Sequence, residues 1–197
     1  APGLHRRAHG LGRPFRQVIA VIGLFAVVNF PDTLLLLRAR DLGLGFAGVV
    51  ALYVLYNLAY AGLSYPAGHL SDRLDRRRGF AVGMLLFAAA YLGFGLTATT
   101  TWLWFLFPLY GGYTALTDGV SRAWVADLVP ADARGTALGI QAAVAGAGLL
   151  VAGVWAGLAW HGTGHVPFVI SAIVVVALAA VVLIFRLGAT VAAPAEP

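Results

Sequence analysis

The chain has 197 residues, of which 60% are hydrophobic and 11% are charged, a composition that excludes an ordinary soluble domain. Its formal net charge of +5 comes from 13 arginines, without a lysine, and it contains no cysteine. Disulfides, thiol catalysis, cysteine-ligated metals and lysine Schiff bases are therefore excluded within this sequence.

Six apolar stretches of 20 to 25 residues follow one another along the chain. At about 1.5 Å rise per residue, a helix of that length crosses the roughly 30 Å hydrocarbon core of a bilayer. We expect residues 1–16 to form a basic linker, residues 17–187 a transmembrane domain, and residues 188–197 a disordered tail. The pattern predicts an all-α membrane protein with six transmembrane helices over 17–37, 46–67, 79–98, 102–121, 135–159 and 166–187.

The arginines are unevenly distributed between the two sides of the predicted helices. Eleven lie on the side of the N-terminus, and only Arg38 and Arg40 lie on the other. Short loops rich in Lys and Arg stay in the cytoplasm. We therefore predict that both termini are cytoplasmic, in the cytoplasmic membrane of a bacterium. Arginines that flank spans are expected to contact anionic lipid headgroups of the bilayer, not nucleic acid.

The first span contains a carboxylate, Asp32, after Pro31 and three residues after Asn29. A charged group in a span costs about 2.5–3.5 kcal/mol on insertion scales, so it should face the interior of the bundle or a water-filled cavity. Pro31 removes a backbone donor and predicts a local kink. Two interpretations stay open: Asn29 and Asp32 line a substrate or proton path, or Asp32 pairs with Arg38 or water at the outer interface.

Other polar residues within the spans are also candidates. Asn57 could form an interhelical hydrogen bond or contact a cavity. Asp118 precedes Arg122 by four residues, the spacing of an ion pair on one helix face, so a structural tie and a binding role are both open. Tyr113 lies beside two glycines that give the fourth helix backbone access. The complete set of candidates for a substrate or ion path is Asn29, Asp32, Asn57, Tyr113 and Asp118.

The fifth span is rich in glycine. The pairs Gly135/Gly139 and Gly153/Gly157 are spaced four apart, which favours close helix packing.

Nothing in the sequence has the pattern of a metal or catalytic site. His161 and His165 are four apart but have no third ligand nearby, and no Ser/His/Asp arrangement is present. We expect no metal, no cofactor and no enzymatic activity.

Two loops carry a family resemblance. Residues 68–78 read Gly-His-Leu-Ser-Asp-Arg-Leu-Asp-Arg-Arg-Arg. This segment resembles the signature loop of the major facilitator superfamily, Gly-x-Leu-(Ala/Ser)-Asp-Arg-x-Gly-Arg-Arg-(Arg/Lys), between the second and third helices of a six-helix half. Asp75 stands where that pattern has glycine. Residues 122–139 are similar to the junction between the fourth and fifth helices of such a half.

The resemblance implies a half bundle built as a 3+3 inverted repeat and a secondary transporter that moves a small solute by alternating access. The basic leader resembles the linker before a C-terminal half. The partner would then be a missing N-terminal half or a second copy of the chain.

The resemblance also implies a conformational latch in the signature loop. Asp72, Arg76 and Asp127 would form a charge cluster, with Arg73 in the same loop, and Gly68 would allow two helices to approach closely. The alternative is that these arginines only anchor the topology.

Two other functions stay open. The chain could be a six-helix integral membrane enzyme or assembly factor, which would need catalytic polar groups clustered at one membrane face. It could also be a truncated, inactive fragment of a transporter.

Overall fold

The computed structural model describes residues 12–73, 75–162 and 164–188, and for residues 70–73 it describes the backbone alone. The expected tail, apart from Gly188, and most of the expected linker lie outside the described residues. The described chain is helical, with short 3-10 turns at Thr100–Trp102 and Ala131–Ala133. Its α-helices are α1 (Arg13–Val28), α2 (Asp32–Asp41), α3 (Phe46–Arg73), α4 (Arg76–Leu96), α5 (Leu103–Asp127), α6 (Arg134–Leu158) and α7 (His165–Ile184).

The prediction of an all-α membrane protein is confirmed at this level. In the described part of the chain, five segments are long and apolar enough to cross a membrane. They are Arg13–Asp41, Phe46–His69, Arg76–Leu96, Ala131–Leu158 and His165–Ile184. Helix α5 has 25 residues and is long enough, but its tyrosines, glycines and Asp118 make it less apolar.

The first span is broken, where the sequence predicted only a kink. Residues 29–31 are not helical, and Asn29 has φ −99° and ψ 85°. Pro31 has no N–H to donate to the carbonyl of Val27, four residues earlier. The indole Nε1 of Trp155, on α6, donates to that carbonyl at 2.6 Å. A tertiary contact therefore replaces the hydrogen bond that proline removes.

Helix α4 forms the centre of the bundle, between α5 and α7. Its buried face is largely aromatic, and the rings of Phe87 and Tyr91 lie 3.8 Å apart between centroids. Tyr91 also meets Phe168 of α7 at 5.2 Å. By contrast, α3 and α6 expose most of their apolar side chains. The core therefore lies around α4, and α3 and α6 form the exposed edges.

The glycines that allow close packing are not the predicted pairs. A Cβ at Gly148 of α6 would lie 2.5 Å from that of Ala26, and one at Gly111 of α5 would lie 2.8 Å from the carbonyl oxygen of Tyr56. Gly153 meets Pro31 only at an ordinary 3.5 Å. A Cβ at Gly135, Gly139 or Gly157 would meet no described atom within 4 Å, so the prediction is wrong for those residues within the described structure. Their spacing alone could not indicate which face of α6 meets α1.

The arginine-rich ends of the helices gather at one end of the bundle, which we call the basic end. There the backbone N–H of Gly188 donates to Gln17 Oε1 at 3.3 Å, and Trp124 Nε1 donates to the carbonyl of Gly188 at 3.4 Å. At this end Asp75 caps α4, because its Oδ1 accepts a hydrogen bond from the backbone N–H of Arg77 at 2.9 Å. Asp75 has φ −54°, a conformation that does not require glycine.

At the opposite end, Arg38 caps the C-terminus of α4. Its side chain is only 3% exposed, and it donates to the carbonyls of Phe94 at 2.9 Å and Thr97 at 2.7 Å. These carbonyls have no helical partner, and the negative end of the helix dipole favours a cation there. Arg38 lies within α2, so it is part of the packed structure and not a loop charge as the sequence predicted.

We predict that Trp155→Phe destabilises the protein by about 1–3 kcal/mol, because it leaves the partly buried carbonyl of Val27 without a donor. In a Pro31→Ala background the new N–H can serve that carbonyl, so the same substitution should cost less. Melting temperatures of the four proteins in detergent measure this coupling. Trp102→Phe, at an exposed tryptophan, is the control. Equal losses in both backgrounds would contradict the replacement of the proline-lost bond by Trp155.

Candidate functional site

The break in the first span brings polar groups into the interior of the bundle. Asn29 Nδ2 donates to the hydroxyl of Tyr113 on α5 at 2.9 Å. The hydroxyl of Tyr91 on α4 lies 3.4 Å from both Asn29 Oδ1 and the carbonyl oxygen of Phe30, so its single proton is shared between these two acceptors. Asn29 is thus hydrogen-bonded to two tyrosines from different helices, and these hydrogen bonds connect the break to both α4 and α5.

Asp32 begins α2 and points to α5. Its Oδ1 accepts a hydrogen bond from the hydroxyl of Tyr110 at 2.8 Å. Its place in the first turn of a helix is favourable for a carboxylate, because the free amide groups there carry partial positive charge. Arg38, the alternative partner considered from the sequence, donates to the end of α4.

Asp118 lies on α5, near the basic end. Its Oδ2 accepts a hydrogen bond from the hydroxyl of Tyr60 on α3 at 3.2 Å. The ion pair predicted between Asp118 and Arg122 does not form, although the structure describes both side chains. Helical spacing permits that pair, but Asp118 is engaged by a neighbouring helix. Asp32 and Asp118 are therefore each hydrogen-bonded to a tyrosine from another helix.

Two cavities flank the break, and Asn29 and Leu149 line both of them. The Asp118 cavity, about 280 Å³, lies toward the basic end and is also lined by Tyr113 and Gln141. The Asp32 cavity, about 340 Å³, lies toward the opposite end and is also lined by Tyr110. Asn29 is therefore a polar group that borders both cavities, one of which lies toward each end of the bundle.

The structure thus brings together four of the five path candidates, Asn29, Asp32, Tyr113 and Asp118. Asn57 is not with them: it is exposed on α3 and donates to the carbonyl of Tyr53 in its own helix at 2.7 Å.

Sequence reasoning did not select Tyr60, Tyr91 and Tyr110 as site residues. For Tyr60 the sequence does contain a signal, because Tyr53, Tyr56 and Tyr60 have the spacing of one helix face. The spacing on α3 cannot reveal, however, that Tyr60 meets a carboxylate on α5.

The proposed latch is described only in part. Arg76 Nε lies 3.1 Å from Asp127 Oδ2, with side chains 28% and 50% exposed, so this pair contributes about 0–1 kcal/mol. The side chains of Asp72 and Arg73 lie outside the described residues. Gly68 is exposed, and a Cβ there would meet no described atom within 4 Å; its role in close helix approach stays a prediction.

The described residues contain no group of three or more His, Asp or Glu side chains that could hold a metal ion. The polar groups at the break are instead amides, hydroxyls and two separated carboxylates. Such groups can bind and orient a solute or exchange protons.

The sequence matches the family described as the Major Facilitator Superfamily over residues 17–196. It is 32% identical over 172 residues to an uncharacterised MFS-type transporter of Methanocaldococcus jannaschii, which covers 84% of this chain and 43% of that protein. It is 27% identical to a class H tetracycline resistance protein of Pasteurella multocida, over 79% of this chain and 38% of that protein. A class D tetracycline resistance protein of Salmonella ordonez is 33% identical, over 70% of this chain and 34% of that protein. The chain therefore spans less than half the length of these relatives.

Proposed function

Because the chain belongs to the major facilitator superfamily, we propose that it forms one half of a secondary transporter that moves a small solute across the cytoplasmic membrane by alternating access. The observation that carries this proposal is the broken first span, where Asn29 borders two cavities, one on the side of each end of the bundle. A solute held at the break could be reached from either side of the membrane in turn. The basic composition of residues 1–16 supports the assignment of this chain to the C-terminal half.

In this proposal α5 is the fourth of six spans, and both ends of the domain are cytoplasmic. The meeting of Gln17, Trp124 and Gly188 at the basic end supports an even number of crossings. The polar character of α5 fits a helix whose tyrosines and Asp118 face other helices and not lipid.

The packing of the helices supports an inverted repeat. Helix α1, in the first span, packs on α6, the fifth, at Gly148, and α5, the fourth span, packs on α3, the second, at Gly111. An inverted repeat relates the first span to the fourth, the second to the fifth and the third to the sixth. The contact between the first and fifth spans then corresponds to the contact between the fourth and second spans. The central pair, α4 and α7, the third and sixth spans, maps onto itself.

The proposed partner is the other half of the transporter, packed against the exposed edges of α3 and α6. Both helices line the cavities, through Tyr53 of α3 and Leu149 of α6, so a partner there would complete the cavity walls. A second copy of the chain could occupy the same edges in a homodimer.

We further propose that Arg76 and Asp127 form part of a latch at the basic end, together with Asp72. The pair joins the start of α4 to the end of α5. Since it is too exposed to stabilise the fold by much, its contribution would lie in favouring one conformation over the other.

The deciding experiment is solute uptake by the full-length protein in proteoliposomes, with a panel of radiolabelled solutes and an imposed proton gradient. We predict that Asp32→Asn abolishes coupled uptake while the melting temperature stays near that of the native protein. Tyr110→Phe keeps the charge but removes the 2.8 Å hydrogen bond, and should slow uptake by about tenfold or less.

Asp132→Asn, at an exposed carboxylate outside both cavities, is the matched control. Full uptake by Asp32→Asn would remove this residue from the path. If the native protein moves no solute under any gradient, the transporter proposal is wrong.

A second prediction concerns topology, tested with single cysteines in a cysteine-free full-length background. Asp75→Cys should react with a membrane-impermeant maleimide only after the cells are permeabilised, whereas Arg40→Cys should react in intact cells. The reverse pattern would contradict the cytoplasmic assignment of the basic end.

A third prediction concerns the latch. Arg76→Ala and Asp127→Asn should each slow transport with a stability change below about 1 kcal/mol. The double variant should be no slower than the worse single variant, because both remove the same contact. Arg78→Ala removes an exposed arginine from the same first turn of α4 and should leave transport unchanged. Additive losses, or an equal loss in Arg78→Ala, would favour the topology-anchor alternative.

A further inference from the structure

The turn that follows α7 packs between α1 and α5 at the basic end. Residues 185–188 form this turn, and Gly188 is buried. The N–H of Gly188 donates to Gln17 of α1, and its carbonyl accepts a hydrogen bond from the indole of Trp124 of α5. Leu187, the preceding residue, packs against the hydrophobic core. One residue of the turn therefore joins two helices to which it does not belong.

The backbone of the turn is strained, and its contacts hold it in place. Gly188 has φ 65°, and Arg186, with φ 48°, is the one non-glycine residue of positive φ in the described part of the chain. Such conformations persist where the surrounding structure determines them. A Cβ at Gly188 would overlap Val18 and lie 2.8 Å from the ring of Trp124. Both neighbours are buried, so the space between them, which we call the notch, accepts only glycine.

The walls of the notch continue into the walls of the Asp118 cavity. Ile22, one turn after Val18 on α1, lines the cavity, and so does Ser121, which precedes Trp124 by three residues on α5. The ring of Trp124 also lies 5.7 Å from that of Phe80, another residue of the cavity wall. The turn therefore connects two walls of the cavity on the side of the basic end.

We propose that the 185–188 turn is a conformational clamp. While Gly188 occupies the notch, the basic ends of α1 and α5 are held together, and the Asp118 cavity widens toward the basic end only when the turn leaves. The two hydrogen bonds, at 3.3 and 3.4 Å, are long for N–H···O contacts, which suits bonds that break and form again. This inference rests on the proposed function, since it assigns a regulatory device to the same cavity.

The experiment measures the separation of α1 and α5 by double electron–electron resonance. Nitroxide labels are attached to Arg16→Cys and Arg122→Cys, two exposed positions at the basic end, in a cysteine-free full-length protein in dodecyl maltoside. The parent protein should give one narrow distance distribution. Gly188→Ala should enlarge the population at longer distance by at least about tenfold, because the added methyl group overpacks the notch.

Matched variants separate the clamp from backbone strain and from packing. Gly162→Ala is the control, because Gly162 has φ 69° but a Cβ there would meet no described atom within 4 Å, so the distances should not change. Gln17→Leu removes the acceptor of the Gly188 N–H and should enlarge the longer-distance population by about fivefold to tenfold. Gln17→Glu keeps an acceptor and should leave that population no larger than in the parent protein.

A second readout connects this movement with the cavity. Ser121→Cys, on the cavity wall, should react with a polar maleimide about fivefold faster in the Gln17→Leu background than in the Gln17→Glu background, because labelling follows the population of the open form. Equal rates would overturn the control of the cavity by the turn.

The clamp is also overturned if Gly188→Ala leaves the distances unchanged, or if Gly162→Ala broadens them equally. Should Gly188→Ala fail to fold, the two Gln17 variants decide, and equal broadening by both would overturn the proposal. Failure of the transporter proposal is separate, since neither measurement needs a solute. A protein that moves no solute but shows these changes would keep the clamp, whereas an active transporter with the same distances in every variant would lose it.

Discussion

The hydrogen bond from Trp155 to the carbonyl of Val27 is the interaction on which the broken first span depends. Hydrocarbon offers no water to an unpaired carbonyl, so irregular backbone at membrane depth is tolerated only where protein groups or a cavity satisfy it. Pro31 leaves the carbonyl of Val27 without its helical donor, and Trp155 of α6 supplies another. The same requirement operates at the end of α4, where Arg38 serves two terminal carbonyls. The break is thus stabilised by hydrogen bonds with three other helices, α4, α5 and α6.

The break in turn positions the polar site. Ending α1 at Val28 and restarting the chain at Asp32 places an amide between two cavities and a carboxylate at the start of a helix. Tyrosine is suited to hold these groups, because its ring packs in the apolar interior while its hydroxyl reaches a polar partner. Tyr113 and Tyr91 hold Asn29, and Tyr110 holds Asp32. The polar groups are therefore oriented by side chains whose rings belong to the core.

The unequal burial of the helices has a consequence for the proposed transporter. Helix α4 packs against two neighbours within the core, whereas α3 and α6 each present an open edge that borders the cavities. In a protein with a second half, these edges would be the surfaces along which the halves slide or rock. The exposed Arg76–Asp127 pair suits such a role, since a contact of low energy can form and break during each cycle.

Much of this architecture could be predicted from the sequence, because the length and apolar character of a span are local properties. The helical membrane class, the approximate spans and the family followed from apolar runs and two loop motifs, and Asn29, Asp32, Tyr113 and Asp118 stood out as polar residues in apolar surroundings.

Only the tertiary structure decided what these residues contact. Asp118 meets Tyr60 and not Arg122, Gly148 and not Gly135 allows close packing, and Asn57 turns to its own helix. Sequence spacing determines which residues share a helix face. It does not determine which face meets which neighbour, because that depends on the rotation of each helix and is set by the packing of all of them together.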